Sequence, residues 1–223
     1  MADTTRPGTE SRTPLSRERI LRAAMTLADQ AGLEALTMRR IGQELGVEAM
    51  SLYNHVANKD DLLDGMVDVV MSEYRLPVGD HDWKSALRAT ATSAHEVLLR
   101  HPWACRLLIT RSNTLLEAQS RYMDSVLGAL RTAGFSPQLT HHAFHALDFH
   151  ILGFTLQQVS FRFDEGELEE LGASVLRDLP AEDYPHLAEH IVGHMRSEFG
   201  DRSGFEFGLD LILDGLERIR DTA

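Results

Sequence analysis

Between Thr37 and Leu63 the chain reads TMRRIGQELGVEAMSLYNHVANKDDLL, two short runs of helical periodicity separated only by Leu45-Gly46-Val47. This constrains the fold more than any other stretch. A helix that stops at Gly46 and restarts within two or three residues must turn sharply, because glycine takes the left-handed position after a helix that other residues avoid. Thr37 is suited to cap the first run, whose Ile41 and Leu45 share a face, and a second helix is expected over residues 48 to 56, with Leu52 and Val56 facing the first. Asn58 is suited to cap a following helix, with Asp60 and Asp61 in its first turn where the helix dipole favours carboxylates, running to about Arg75 before Pro77. Ahead of the pair, Ser16 can cap a helix over 16 to 31 that stops at Gly32.

A helix-turn-helix uses its first helix as a brace and lays its second in the DNA major groove, so the reader buries only part of its surface. Ile41, Leu45, Leu52 and Val56 can supply the buried part. Ala49, Met50, Ser51, Asn54 and His55 are left to meet base edges, and Arg39 to reach a base or a phosphate. Tyr53 and Lys59 suit phosphate, one as a hydrogen-bond donor and the other as a charge. The alternative is a helical hairpin in an ordinary bundle, which the spacing alone also permits.

Charge bears on the choice. The net formal charge of −12 argues against nucleic acid if taken alone. Through Lys59, however, eight Lys or Arg face seven Asp or Glu, and the remainder has fourteen against twenty-seven. The chain is a near-neutral head on an acidic body.

Beyond LPVGDHD helices are expected at 82 to 100, 103 to 109, 114 to 133, 137 to 160, 182 to 199 and 204 to 220, with breaks at Pro102, AGFSP and DLPAEDYP. FDEGELEELG, after Phe163, reads as a looser connection. No strand is expected, so the fold class is all-α. The divisions expected are a mobile arm at 1 to 15, a helix-turn-helix domain at 16 to 62 and a larger helical domain at 63 to 223. No apolar run approaches a membrane span, the polar N-terminus is unlike a signal peptide, and a cytoplasmic address is expected. The one cysteine, Cys105, lies in an apolar stretch and reads as packed.

The stretch LTMRRIGQELGVEAMSLYNHVANKDDLL resembles the DNA-binding domain of the tetracycline repressor (TetR) family. HDWKSALRATATSAHEVLLRHP, LITRSNT, LRTAGFSPQLTHHAFHALDFHILGFTLQ and FEFGLDLILDGLERI resemble the ligand-binding and dimerisation domain of its tetracycline repressor branch. The resemblance implies a repressor that binds double-stranded operator DNA as a homodimer and is released by a small organic effector; with no apolar run of membrane length and no metal set in the sequence, no membrane partner and no cofactor are expected. It places operator contacts on Arg39, Arg40, Ala49, Met50, Ser51, Tyr53, Asn54, His55 and Lys59. Ala49-Met50-Ser51 stands where that branch carries Gln-Pro-Thr, and Asn54 where it has tryptophan, so the operator sequence does not carry over.

For the effector the reading names Arg75, Thr90, Trp103, Leu107, Thr110, Met123, His145, Phe149 and Gln157, most of which are equally good core residues. Leu107 and Gln157 fall where the tetracycline repressor holds drug-linked magnesium with a histidine and a glutamate. Leucine cannot ligate a metal and neutral Gln is a poor ligand for a hard cation, so magnesium-tetracycline is not expected. In the last helix Phe205, Leu209, Ile212, Leu216 and Ile219 form an apolar stripe, read as a dimer seam or as a face buried within the subunit. The rows His186, His190, His194 and His141, His142, His145 lack cysteine partners and read as solvated or hydrogen-bonded rather than as metal ligands. An enzyme is the competing class, but no phosphate-cradling glycine loop, metal set or nucleophile-base signature is present. A second alternative is an interaction protein whose helix-turn-helix no longer reads DNA.

Overall fold

The computed structural model describes residues 14–77, 82–111, 116–161, 166–180, 182–196 and 203–222. Among these there are eleven α-helices and no strand: α1 Arg17–Ala31, α2 Met38–Leu45, α3 Ala49–Leu52, α4 Lys59–Ser72, α5 Trp83–Arg100, α6 Pro102–Thr110, α7 Glu117–Thr132, α8 Pro137–Ser160, α9 Glu167–Asp178, α10 Pro185–Met195 and α11 Gly204–Thr222. The chain divides into two compact units, residues 1–67 and 68–223. The expected arm lies outside the described residues except for Pro14 and Leu15.

In the first unit the caps form where the residue types ask for them. Ser16 Oγ accepts from Arg19 N at 3.3 Å, Thr37 Oγ1 from Arg40 N at 3.2 Å, and Asn58 Oδ1 from Asp61 N at 2.8 Å. Each satisfies an N–H that the helix start would leave unpaired. Ile20, Ala24, Leu36, Ile41, Leu52, Leu62 and Met66, all fully or nearly fully buried, make the core.

In the second unit α8 is the axis, with α5, α6, α7 and α11 packed around it. Salt bridges tie α5 to α11: Lys84 Nζ lies 2.7 Å from both Asp214 and Glu217, and Arg88 pairs with Asp210. Inside, the Phe205 ring is sandwiched between two imidazoles, His95 at 4.0 Å and His150 at 4.9 Å between centroids. Thr155 donates its hydroxyl proton to Ile151 O, so the 2.7 Å contact with His95 requires Nδ1–H as donor. Desolvation lowers the His95 pKa, which agrees with a neutral ring. Cys105 is fully buried, and burial pushes its thiol up to about 11, so it is a core residue.

Two expectations are corrected. The helix expected over 48 to 56 is only Ala49–Leu52: Asn54 N bonds back to Ser51 O and His55 N to Leu52 O, three residues apart, so the chain tightens into a turn at Tyr53. The acidic stretch expected as a loose connection contains helix α9. Glu167, Glu169 and Glu170 occupy its first turn, where the dipole favours them, and α9 packs on α10. A Cβ at Gly172 would stand 2.7 Å from Met195 Cγ, so glycine permits that packing.

Candidate nucleic-acid interface and ligand cavity

The reader is braced by a close backbone approach. Gly46 sits at φ 67°, ψ 35°, the left-handed conformation, and its neighbour Val47 donates to Gly42 O at 2.9 Å. A Cβ on Gly42 would meet Val47 O at 2.8 Å and Ala49 N at 3.2 Å, so α2 and α3 come this close only because position 42 carries no side chain. The Arg17 guanidinium then ties α1 to the start of α4, with bonds of 2.7 and 2.9 Å to Asp61 and one of 3.3 Å to His55 O. Asp61 also accepts from Ala57 N at 2.8 Å. The Arg17 hydrogen bond, then the Ala57 amide, hold the Asp61 carboxyl below its usual range.

On this frame Met50 is 74% exposed and Tyr53 44%, and Arg39, Arg40, Asn54 and Lys59 are exposed as well. Ala49, Ser51 and His55 are half-buried. Arg39, Arg40 and Lys59 form no ion pair among the described residues. The nine residues thus lie on or beside α2, α3 and the start of α4, with their largest polar groups turned to solvent. That arrangement can donate to phosphate and present small or adaptable groups to bases.

The second unit holds a cavity of about 650 Å³, partly open to solvent beside Phe149 and Ile109 and within the range of small-molecule sites. Its walls come from Met71 of α4 and Tyr74 just after it, Leu108 and Ile109 of α6, Gln119, Tyr122 and Met123 of α7, and Phe144, His145, Asp148, Phe149, Ile151, Leu152 and Gly153 of α8. The Tyr74 and Tyr122 rings meet edge to face at 5.6 Å. The Tyr74 hydroxyl and His145 Nδ1 are buried without a hydrogen-bond partner. Burial pushes both phenols up, and pushes the Asp148 carboxyl up to about 6.

Of the effector residues named from the sequence, Met123, His145 and Phe149 line this cavity. The others do not. Trp103 and Leu107 are packed in the core, and Thr90 is buried with its hydroxyl bonded to Ala86 O. Thr110 is exposed and bonded to Arg106 O, while exposed Arg75 donates its backbone N–H to Ser93 Oγ. Gln157 borders a separate, smaller hollow with Phe154, Phe161 and Gly204. Sequence reasoning passed over Tyr74, Tyr122 and Asp148; the available signal was one acid inside the otherwise uncharged run AFHALDFHILGFTL of α8. The histidine rows give ring contacts, His190 with His194 at 4.6 Å and His141 with His145 at 4.5 Å. Among the described residues no three His, Cys, Asp or Glu are grouped to hold a metal ion, and no helix is long and apolar enough to cross a membrane.

Residues 20–66 match the family of bacterial regulatory proteins called the tetR family, and residues 76–220 match the tetracyclin repressor-like C-terminal domain. An HTH-type transcriptional regulator of Saccharopolyspora erythraea is 35% identical over 95% of this chain and 89% of its own. The class C tetracycline repressor protein of Escherichia coli is 32% identical over 93% of each chain. ActR of Streptomyces coelicolor, solved without ligand, is 30% identical over 94% of this chain and 98% of its own, with a TM-score of 0.78. ActR in complex with actinorhodin is similar at 28% identity over 93% of this chain and 99% of its own, with a TM-score of 0.74.

Proposed function

The chain belongs to the tetR family of bacterial regulatory proteins, and from that membership we propose a ligand-released repressor of transcription: the first unit holds operator DNA and the cavity of the second takes a small organic effector. The observation that carries this reading is α4. Its first turn is clamped by Arg17 beside the reader, and Met71 near its end, with Tyr74 just beyond, forms a wall of the cavity. A ligand that fits only one position of Met71 and Tyr74 thereby favours one position of the helix that bears Lys59. Differential affinity for two states is what release requires. The protein acts as a binding protein in the cytoplasm and not as an enzyme.

The functional unit is a homodimer with two reading heads. Its seam is the outer face of α11, where Phe207 and Leu211 are more than half exposed and nothing stands within 4 Å of a Cβ at Gly215, together with the edge of α8 at Phe149 and Gly153, exposed residues that also line the cavity. The apolar stripe named from the sequence is divided by the structure. Phe205, Leu209 and Leu216 are buried within their own subunit and Ile219 is left outward, beside Phe207 and Leu211, which lie outside that stripe.

The effector is bound without magnesium. Leu107 is inside the core and Gln157 borders the other hollow, so neither supports a chelated drug. Selection of genomic fragments by the full-length protein should return a palindromic operator. A gel shift on that operator should then show release by an organic molecule in excess chelator. Failure to enrich any sequence would reject DNA reading. Release by tetracycline that chelator abolishes and magnesium restores would reject the metal-free effector.

A further inference from the structure

The cavity is apolar and aromatic on most sides and carries one carboxylate. Asp148 has no hydrogen-bond or ion partner among the described residues. An ionised carboxylate in such surroundings is costly to bury unless something pairs with it, and the usual means is a cation or several donors. The Tyr74 hydroxyl, buried and unpartnered in the same wall, offers a lone pair as well as a proton. The edge-to-face Tyr74 and Tyr122 rings add negative π-faces, which attract a cation as they stack on an arene. The chain beyond Lys59, with fourteen Lys or Arg against twenty-seven Asp or Glu, favours the approach of positive charge. The carboxylate, the ring faces and the acidic balance discriminate against an anion, and the Tyr74 oxygen can serve a cation as an acceptor.

Resting on the reading of this cavity as the effector site, we propose that it takes a molecule with an apolar or aromatic body and a protonated amine, the ammonium paired with Asp148 and hydrogen-bonded to the Tyr74 oxygen. An ammonium has three donors and no acceptor, so it can satisfy both oxygen groups at once. The arene lies against Phe144, Met123 and Leu152. Asp148 is the selectivity residue: it contributes affinity only for ligands that bring a cation to it.

The test uses the full-length protein and three fluorescent probes with one fluorophore: dansylcadaverine, its N-acetyl derivative, and dansylaminohexanoic acid. Titration should show the amine binding about ten-fold or more tighter than the acetylated probe, as a charge-assisted hydrogen bond supplies. Asp148→Asn should abolish that preference and leave the acetylated probe's affinity unchanged, with circular dichroism confirming the fold. Met123→Trp and, independently, Ile109→Trp at the exposed edge of the cavity should block both probes. If these two variants block binding but Asp148→Asn leaves the amine preference in place, the amine inference is wrong and the cavity reading stands. If they leave binding intact, both fall. Equal affinity for amine and acetylated probe, preference for the acid, or no binding by any probe also overturns the inference.

Discussion

The two units dispose of their polar groups in opposite ways. In the first, the polar groups that position the helices are paired: Thr37 and Asn58 cap helices, Arg17 and Asp61 hold each other, and the cations Arg39, Arg40 and Lys59, which form no ion pair among the described residues, face solvent. In the second, unpaired groups are turned inward, with the Tyr74 hydroxyl, His145 Nδ1 and Asp148 around a cavity. A buried polar group without a partner is destabilising by roughly 1–3 kcal/mol, so a fold that retains several in one place has a use for them there. An outward cation costs the fold little and is free for an external anion. The contrast accords with the proposal that DNA is met on the outside of one unit and a ligand on the inside of the other.

The largest effect should separate inside from outside on α11. Leu209 is fully buried and Leu211 is 56% exposed, two residues apart on one helix. Leu209→Glu places a charge in the core and should destabilise the second unit by on the order of 4 kcal/mol or more, seen as loss of its unfolding transition. Leu211→Glu should leave the fold and split the dimer, read by sedimentation. A Leu211→Glu protein that remains dimeric would remove the proposed seam.

Next in size is the close approach inside the first unit. Gly42→Ala puts a Cβ against Val47 O and should destabilise that unit by roughly 2 kcal/mol, measured by denaturant unfolding. DNA binding should weaken with it while probe binding in the cavity stays the same. If the variant is as stable as the parent, the turn is not held by that contact.

How much of this was legible depended on how local the determining chemistry was. Thr37, Gly46 and Asn58 act within four residues of themselves, so the helix-turn-helix could be placed from sequence. The end of α3 at Leu52 was missed because the turn at Tyr53 contains no glycine or proline and continues the apolar spacing to Val56. α9 was missed because its acids read as a solvated loop, whereas their place in a first turn makes them helix-stabilising. The cavity was only partly legible because α8 carries apolar residues on nearly every side, so periodicity does not say which face lines the cavity beside α7. Met123, His145 and Phe149 could be named as pocket candidates. Asp148 and Tyr74 gain meaning only once tertiary packing leaves both without partners. The seam was half legible for a similar reason: on α11 Phe205 and Phe207 are equally apolar, and only packing on α5 and α8 separates the buried one from the exposed one.

A smaller effect should come from the clamp at Asp61. Its folded pKa is depressed by Arg17, so it contributes stability that is present above the unfolded value near 3.9 and is lost as pH falls through the lower folded value. Arg17 and Asp61 are 42% and 33% exposed, so solvent screening limits the pair to about 1 kcal/mol. Asp61→Asn should therefore be less stable than the parent at neutral pH, with the gap closing as pH falls below about 4. A gap that persists undiminished in acid would mean that the contact acts through packing and not through charge.

The smallest effect is the most specific to the outward disposition of the first unit. Lys59 is exposed, starts α4 and forms no ion pair among the described residues, so removing it should not change stability. A lysine that neutralises one phosphate releases one condensed counterion, and that release is visible in the dependence of affinity on salt rather than in base preference. Lys59→Ala should weaken operator and non-operator DNA by similar factors and reduce the slope of log affinity against log salt by about one. Met50→Ala or Asn54→Ala should instead leave the slope and alter the selected sequence at one or two positions. Should Lys59→Ala shift the consensus while the slope stays as it was, Lys59 is reading a base, and the division of this surface into phosphate clamps and base readers has to be redrawn.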